Sequence, residues 1–164
     1  MKTIALLHPG NMGATIGACA AASGARVLWA SAQRSAASHE RAEQAGLIDA
    51  GDLAAVVRQS DIVLSVCPPE FATEVAVSVA AQHFEGIYVD ANAVSRATAE
   101  EIGKIVTKAG AAFVDGGIIG SPVKKTGTTR MYLSGEKAAE VAQVFPPACW
   151  MRATSAPVPA QHRL

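Results

Sequence analysis

A glycine-containing turn close to the start of the chain has the residue types that bind a pyrophosphate. The apolar run Thr3–Leu7 is followed by Gly10–Gly13 (GNMG), and a stretch of small residues continues to Ala20. This pattern predicts a strand, a tight turn and a helix. The first backbone N–H groups and the positive end of such a helix would face an anionic ligand.

The turn departs from the full dinucleotide-binding pattern G-x-G-x-x-G at one place, because His8 stands where the first glycine is expected. Gly10 can still let the backbone approach a phosphate, and Gly13 can still allow close packing of helix and strand. On this stretch alone, an ordinary strand-to-helix turn is the alternative.

The end of the second predicted strand bears on the choice of cofactor. An NAD site usually carries an acid about 20 residues after the glycines, which binds the ribose 2′-OH. No acid occurs from Val27 to Ala37, and the segment contains Ser31 and Arg34 instead. Hydroxyl and guanidinium donors suit a 2′-phosphate, so the sequence favours NADP over NAD. Alternatively, Arg34 only begins an exposed helix.

Two later strand ends carry polar residues or proline. The buried strand Asp61–Cys67 stops at Pro68, which places Cys67 and Pro68 where a ligand binds beyond the carboxyl ends of parallel strands. The prolines could equally begin the next helix. After the strand 86–90, we expect Asn92 to contact a ligand and Ser95 to cap the following helix.

The strand Ala111–Asp115 leads into a glycine-rich loop, 116–122, which contains Gly120 and Ser121. Glycines there would let a substrate approach the main chain closely. A long hairpin-like connection is the alternative, and the sequence does not separate the two.

Composition bounds the remaining possibilities. The 164 residues are 50% hydrophobic but 5% aromatic, which is typical of helices packed on a parallel sheet. The formal net charge is zero, so nothing favours nucleic acid, and no apolar run is long enough to span a membrane. The three cysteines are far apart and the histidines lack metal-ligand spacing, which predicts reduced thiols, no metal site and a cytoplasmic protein.

The alternation of short apolar strands with helices predicts an α/β fold with a doubly wound, mostly parallel sheet over residues 1–145. Composition changes after Phe145. Residues 146–164 contain four of the eight prolines and little periodicity, and we expect an irregular, disordered tail.

Four motifs together resemble the superfamily of 6-phosphogluconate dehydrogenase and 3-hydroxyacid dehydrogenases, closest to its less characterised bacterial members. They are GNMG at 10–13, Cys67-Pro68-Pro69, VDANAVS at 89–95 and FVDGGIIGSP at 113–122. The resemblance implies a Rossmann-type domain, NADP or NAD as cofactor, and hydride transfer to or from a small hydroxy acid or related carboxylate. It also implies a homodimer, which the family builds through a second, all-helical domain.

The resemblance assigns roles residue by residue. The pyrophosphate would contact the turn, at Gly10, Asn11, Met12 and Gly13, and the adenosine ribose would contact the end of the second strand, at Ser31 and Arg34. The nicotinamide side would contact the next two loops, at Cys67, Pro68 and Asn92. The substrate would contact the loop after the fifth strand, at Gly120 and Ser121.

The family's catalytic lysine lies in the second domain, so the catalytic residue stays unassigned, and Lys124 and Lys125 are not given that role. Ile119 also stands where many relatives have a substrate-binding serine. A truncated chain, a split gene or a frame shift near Phe145 would explain the loss of resemblance there. The alternative functions are a non-catalytic NADP-binding module and, less favoured, a Rossmann-like methyltransferase.

Overall fold

The computed structural model describes residues 1–125, 127–145 and 151–155. The strands are β1 Thr3–Leu6, β2 Arg26–Trp29, β3 Ile48–Asp49, β4 Ile62–Ser65, β5 Ile87–Asp90, β6 Ala112–Ile119, β7 Thr129–Ser134 and β8 Met151–Ser155. The helices are α1 Asn11–Ala22, α2 Ala36–Gln44, α3 Leu53–Arg58, α4 Ala72–Ala80, α5 Arg96–Lys108 and α6 Ala138–Ala142, with a 3₁₀ turn Pro69–Phe71 before α4.

The eight strands form one sheet in the order β3-β2-β1-β4-β5-β6-β7-β8. All neighbouring pairs are parallel except β6 and β7, which are antiparallel. The chain order reverses between β1 and β4, so a crevice opens there beyond the carboxyl ends of the strands. This arrangement confirms the predicted doubly wound, mostly parallel α/β fold.

Apolar side chains cover both faces of the sheet. One core includes Ile16 of α1 and Val141 of α6, and the other includes Val56 of α3, Val79 of α4 and Ile102 of α5. Because both faces are covered, the central strands are buried along their whole length, as in β4 and β5.

Helix α5 shows how the sequence specifies a local element. Its buried residues Ala99, Ile102, Gly103 and Val106 follow the i, i+3, i+4, i+7 spacing of an apolar helical face. Ser95 caps the helix, because its hydroxyl oxygen accepts the backbone N–H of Thr98 at 3.1 Å. The predicted cap is confirmed.

Sheet pairing changes two of the predicted elements. Strand β6 runs on through Ile119, because its second half pairs with β7, so the first part of the predicted 116–122 loop is strand. The short strand β3 also joins the sheet, beside β2. Within the predicted irregular tail, residues 151–155 form β8, which satisfies the backbone groups of the β7 edge; the rest of that tail lies outside the described residues.

The cysteines differ from the prediction in one respect. Cys67 is a free thiol, as expected, whereas Cys19 is disulfide-bonded, and Cys149 lies outside the described residues. Sequence spacing alone predicted reduced thiols because it cannot show which cysteines the fold brings together. In the described part of the chain, no helix has the length and apolar character needed to cross a membrane.

Candidate functional site

The glycine turn lies at the point where the strand order reverses. Gly10 is the N-cap of α1 and makes no side-chain capping bond, and its own N–H donates to the carbonyl of His8 at 2.9 Å. The first N–H groups of a helix have no intrahelical partner. No acidic side chain occupies the first turn of α1, so these donors face the crevice without an opposing charge.

The two glycines of the turn have different surroundings. A side-chain carbon placed on Gly13 would collide with the carbonyl oxygen of His8, so only glycine fits that helix against the end of β1. A carbon placed on Gly10 would meet no atom within 4 Å. The predicted packing role of Gly13 is thus visible, and the space above Gly10 is open to a ligand.

An arginine from α2 holds the turn from the side. The Nε of Arg41 donates to the carbonyl oxygen of Pro9 at 2.8 Å, and Nη2 contacts the hydroxyl of Ser38 at 3.4 Å. This bond fixes a carbonyl in the stretch where the first glycine is missing. Sequence reasoning missed Arg41, since a lone arginine in a polar helix gives no signal until the helix is packed beside the turn.

A cavity of about 520 Å³ opens beside the turn, at the carboxyl ends of β1, β2 and β4. Its basic lining residues are His8 and Arg34, and its acidic one is Glu74. Apolar walls come from Leu53, Phe71 and Val75, and Cys67 and Pro68 complete the inner side. The lining therefore includes three of the predicted cofactor residues, Arg34, Cys67 and Pro68.

Arg34 is exposed at the end of the loop between β2 and α2, and its Nη2 donates to the carbonyl of Leu7 at 3.4 Å. This contact carries the guanidinium across to the end of β1. Arg34 lies outside α2 itself, since Ser35 is the N-cap of that helix. A residue that only began the helix would not need this contact with the end of β1.

Ser31 has a partner that the sequence did not indicate. Its hydroxyl hydrogen-bonds to the carboxylate of Asp49, which together with the N–H of Gly51 lowers the pKa of Asp49. Pairing of β2 with β3 puts Asp49 opposite Trp29 and so beside the predicted ribose position. An acid therefore does lie near the end of β2, but the chain brings it there from β3.

His8 is half-buried and points a shielded nitrogen inward. Its Nδ1 is buried and has no hydrogen-bond partner among the described residues. Burial, together with the charge of Arg34, lowers the pKa of His8 to about 4. The imidazole is accordingly neutral at pH 7.

Asn92 is buried at the carboxyl end of β5, and both ends of its amide are hydrogen-bonded to the protein. Its Oδ1 accepts the backbone N–H of Cys67 at 2.6 Å, while Nδ2 donates to Ser65 at 3.0 Å and to Asp90 at 2.5 Å. These bonds tie the loop after β4 to the loop after β5. The geometry thus places Asn92 as a support for the backbone at Cys67, and its predicted ligand contact stays a prediction.

Asp90 is a buried acid that the sequence reading did not single out. Register pairs it with Ser65 on one side and Asp115 on the other, and its Oδ2 has no hydrogen-bond partner in the described ranges. Burial raises the pKa of Asp90 to about 7; the charge of Asp115 adds to this rise, and the bond from Asn92 opposes it. Burial also raises the pKa of the Cys67 thiol, so Cys67 is not an activated nucleophile.

The predicted substrate residues lie at the turn after β6. Gly120 has φ +120°, and a side-chain carbon there would collide with the carbonyl of Thr128. The carbonyl oxygen of Ser121 accepts the hydroxyl of Thr129 at 2.6 Å, and the N–H of Val123 donates to Thr15 of α1 at 3.1 Å. The connection is a hairpin packed on α1. Substrate binding by Gly120 and Ser121 stays a prediction.

The residues at the crevice fit a dinucleotide. The space above Gly10 and the free N–H groups of α1 suit a pyrophosphate, and the cavity offers a guanidinium and apolar walls for an adenosine. Asn11 and Met12 are the first residues of α1 and so lie at the same turn. Among the described residues, no group of three or more His, Cys, Asp or Glu side chains is placed to hold a metal.

Comparison with known proteins agrees with this geometry. Residues 3–146 match the family model described as the NAD binding domain of 6-phosphogluconate dehydrogenase. No curated protein sequence matches the chain.

Three solved structures are similar over most of the chain. One is a conserved protein of unknown function described as structurally similar to 3-hydroxyacid dehydrogenases (25% identity, TM-score 0.80, 93% of this chain and 57% of that one). The second is a Mycobacterium tuberculosis 3-hydroxyisobutyrate dehydrogenase with L-serine (20% identity, TM-score 0.77, 93% of this chain and 55% of that one). The third is an imine reductase from Myxococcus stipitatus with NADP⁺ (22% identity, TM-score 0.73, 89% of this chain and 53% of that one). The chain spans little more than half the length of each.

Proposed function

The chain belongs to the family of the NAD binding domain of 6-phosphogluconate dehydrogenase, and from that premise we propose that it is the NADP-binding part of an oxidoreductase. The reaction proposed is hydride transfer between the nicotinamide and a small hydroxy acid or related carboxylate. The observation that carries the proposal is the cavity at the strand-order reversal, which Arg34 lines, together with the open space at Gly10.

Different residues would contact different parts of the cofactor. The turn Gly10–Gly13 would hold the pyrophosphate through the N–H groups of α1. Leu53, Phe71 and Val75 would pack against the adenine, since Phe71 is 50% exposed and lines the cavity. The loop at Cys67 and Pro68, supported by Asn92, would flank the ribose on the nicotinamide side.

NADP is preferred over NAD in this proposal because Arg34 offers charge-assisted donors to a 2′-phosphate. Asp49 is the opposing consideration, since an acid beside Ser31 could accept the 2′-OH of NAD. Ser31 and Asp49 therefore make the cofactor choice a direct experimental question.

When bound, the cofactor would supply the hydride chemistry, and this chain would bind and orient it. No described group is placed as a general acid or base toward a substrate, so the catalytic residue stays unassigned. The small hydroxy acid as substrate, a homodimer and a cytoplasmic location stay predictions. The disulfide at Cys19 removes part of the argument for the cytoplasm.

A non-catalytic NADP-binding module is the second candidate. It is favoured because no described residue is placed as a general acid or base toward a substrate. Turnover of any hydroxy acid by this chain alone would exclude it.

The test is a titration of the chain with NADPH and, separately, NADH, followed by nicotinamide fluorescence. We expect tighter binding of NADPH, and we expect Arg34→Ala to weaken NADPH more than NADH. Arg58→Ala is the matched control, since Arg58 is exposed in the last turn of α3, away from the cavity. No binding of either dinucleotide would refute the proposed function, and equal losses in Arg34→Ala would refute the phosphate contact.

A further inference from the structure

We propose that Glu74 selects the base of the cofactor: its carboxylate accepts a hydrogen bond from the exocyclic amino group of adenine and disfavours bases that carry an oxygen at that position. The inference rests on the proposed function and deepens it. It assigns a role to the acidic residue of the cavity, which the sequence analysis did not single out.

One face of α4 forms a wall of the cavity. Four cavity-lining residues follow the i, i+3, i+4, i+7 spacing of a helical face: Phe71, Glu74, Val75 and Ser78. Phe71 and Val75 are the side chains proposed above to pack against the adenine ring. Glu74 and Ser78 lie on the same face, so polar groups adjoin the apolar surface where the edge of the ring would lie.

The polar part of this wall presents hydrogen-bond acceptors. The hydroxyl of Ser78 donates to the backbone carbonyl of Glu74 at 2.9 Å, so its one proton is used and its oxygen can accept from a ligand. The Glu74 carboxylate is also an acceptor. The 6-amino group of adenine is a donor, whereas guanine and hypoxanthine carry an acceptor oxygen there. The wall therefore matches adenine and mismatches the two oxygen-bearing bases.

The charges of the cavity indicate which way the nucleotide lies. Strand β1 lies between β2 and β4 in the sheet. Arg34 follows β2 and Glu74 belongs to the helix after β4, so the two charged residues line the cavity from opposite sides of β1. Because a carboxylate repels a phosphate, the phosphate belongs at Arg34 and the base at Glu74.

The Glu74 carboxylate is not committed to a protein partner. Among the residues that the structure describes, it makes no hydrogen bond and no ion pair, either with Arg34 or with another side chain. Its carboxylate oxygens can therefore accept bonds from a ligand without breaking a contact of the protein.

Helix stabilisation is the other role open to this acid. Glu74 lies in the first turn of α4, where a negative charge is stabilised by the helix dipole. Such a role would leave the choice of base unaffected, so base selectivity separates the two roles. Glu70 provides a matched control: it is an exposed acid one turn earlier, in the 3₁₀ turn, and it is not among the residues that line the cavity.

The experiment compares NADPH with reduced nicotinamide hypoxanthine dinucleotide phosphate, its deamino analogue, which has an oxygen in place of the adenine amino group. Nicotinamide fluorescence would give the dissociation constants for wild type, Glu74→Gln and Glu70→Gln. We expect wild type to bind NADPH about tenfold more tightly than the analogue, which corresponds to one charge-assisted hydrogen bond.

The two variants should differ in this ratio. In Glu74→Gln it should fall below about twofold, because an amide can accept from the amino group or donate to the oxygen. In Glu70→Gln the wild-type ratio should persist, although the same charge is removed. NADH and its deamino analogue should give the same ratios as the NADPH pair, since the base is common to both, and this makes the test independent of the 2′-phosphate.

The outcomes separate the inference from the proposed function. NADPH binding by wild type without a preference for adenine would overturn the inference alone. An undiminished preference in Glu74→Gln would overturn it as well, because another residue would then select the base. An equal loss of preference in Glu70→Gln would also overturn it, since the effect would then follow net charge. If wild type binds none of the four dinucleotides, the proposed function fails, and this inference fails with it.

Discussion

The side-chain oxygen of Asn92 accepts the backbone N–H of Cys67 at 2.6 Å, and so joins the loops that follow two neighbouring strands. The amide nitrogen of the same residue is held by Ser65 and Asp90. Because all of these groups are buried or half-buried, removing the Asn92 side chain would leave several polar atoms without a hydrogen-bond partner. This relationship fixes the wall of the cavity at Cys67 and Pro68.

We therefore expect Asn92→Ala to lower the free energy of unfolding by about 2–3 kcal/mol, measured by urea denaturation. It should also weaken NADPH binding several-fold, since the Cys67 loop loses its support. Ser95→Ala is the control three residues away: it should cost about 1 kcal/mol through loss of the helix cap and leave NADPH affinity unchanged. Unchanged NADPH affinity in Asn92→Ala would show that the loop does not need this support.

The pKa of Asp90 makes a second prediction, about stability and pH. The folded protein holds the Asp90 proton up to about pH 7, whereas the unfolded chain loses it near 3.8. The contribution of Asp90 to stability is therefore fully present below pH 3.8 and is lost as pH rises to 7. Urea denaturation at several pH values should show the unfolding free energy of wild type falling relative to Asp90→Asn by up to about 4 kcal/mol over this range.

The difference in unfolding free energy between wild type and His8→Gln should change with pH in the opposite direction. The unfolded chain binds a proton at His8 below about 6.5, which the folded protein takes up only near pH 4. Wild-type stability should therefore rise relative to His8→Gln between pH 4 and 6.5. Two differences of the same sign would contradict the assigned environments of both groups.

Local elements were predictable where one stretch of chain decides them. The apolar spacing of α5 and the hydroxyl of Ser95 specify the helix and its cap without help from the rest of the fold. The order of the helices and of the buried parallel strands was predictable for the same reason, since each such strand is a short apolar run.

Features that depend on pairing between distant stretches were not predictable. Asp49 reaches Ser31 only because β3 pairs with β2, and the second half of β6 is strand only because β7 lies beside it. The support that Asn92 gives to the Cys67 backbone was not predictable for a related reason. Its residue type and position at a strand end suit a ligand, but the partners that occupy its amide come from β4, β5 and the loop after β4.

The glycines of the turn give a third prediction through a matched pair of variants. Gly10→Ala should leave the thermal unfolding temperature nearly unchanged, because a carbon there meets no protein atom within 4 Å. It should nevertheless weaken both NADPH and NADH at least tenfold, since the methyl group would occupy the space proposed for the pyrophosphate. Gly13→Ala should instead lower the unfolding temperature, because its methyl group collides with the His8 carbonyl. Full affinity in Gly10→Ala would place the pyrophosphate elsewhere.

The last prediction compares Arg41 with Arg34, because Arg41 contacts the turn whereas Arg34 lines the cavity. Arg41→Ala removes the 2.8 Å bond to the Pro9 carbonyl and frees the turn that lacks its first glycine. Since the turn would serve the pyrophosphate common to both cofactors, we expect NADPH and NADH to weaken by the same factor, about fivefold to tenfold, for a loss of one charge-assisted hydrogen bond. In Arg34→Ala, the loss should instead be larger for NADPH. Fluorescence titration of the two variants with both dinucleotides gives the comparison directly. A selective loss of NADPH affinity in Arg41→Ala would mean that Arg41, and not only Arg34, reaches the ribose phosphate.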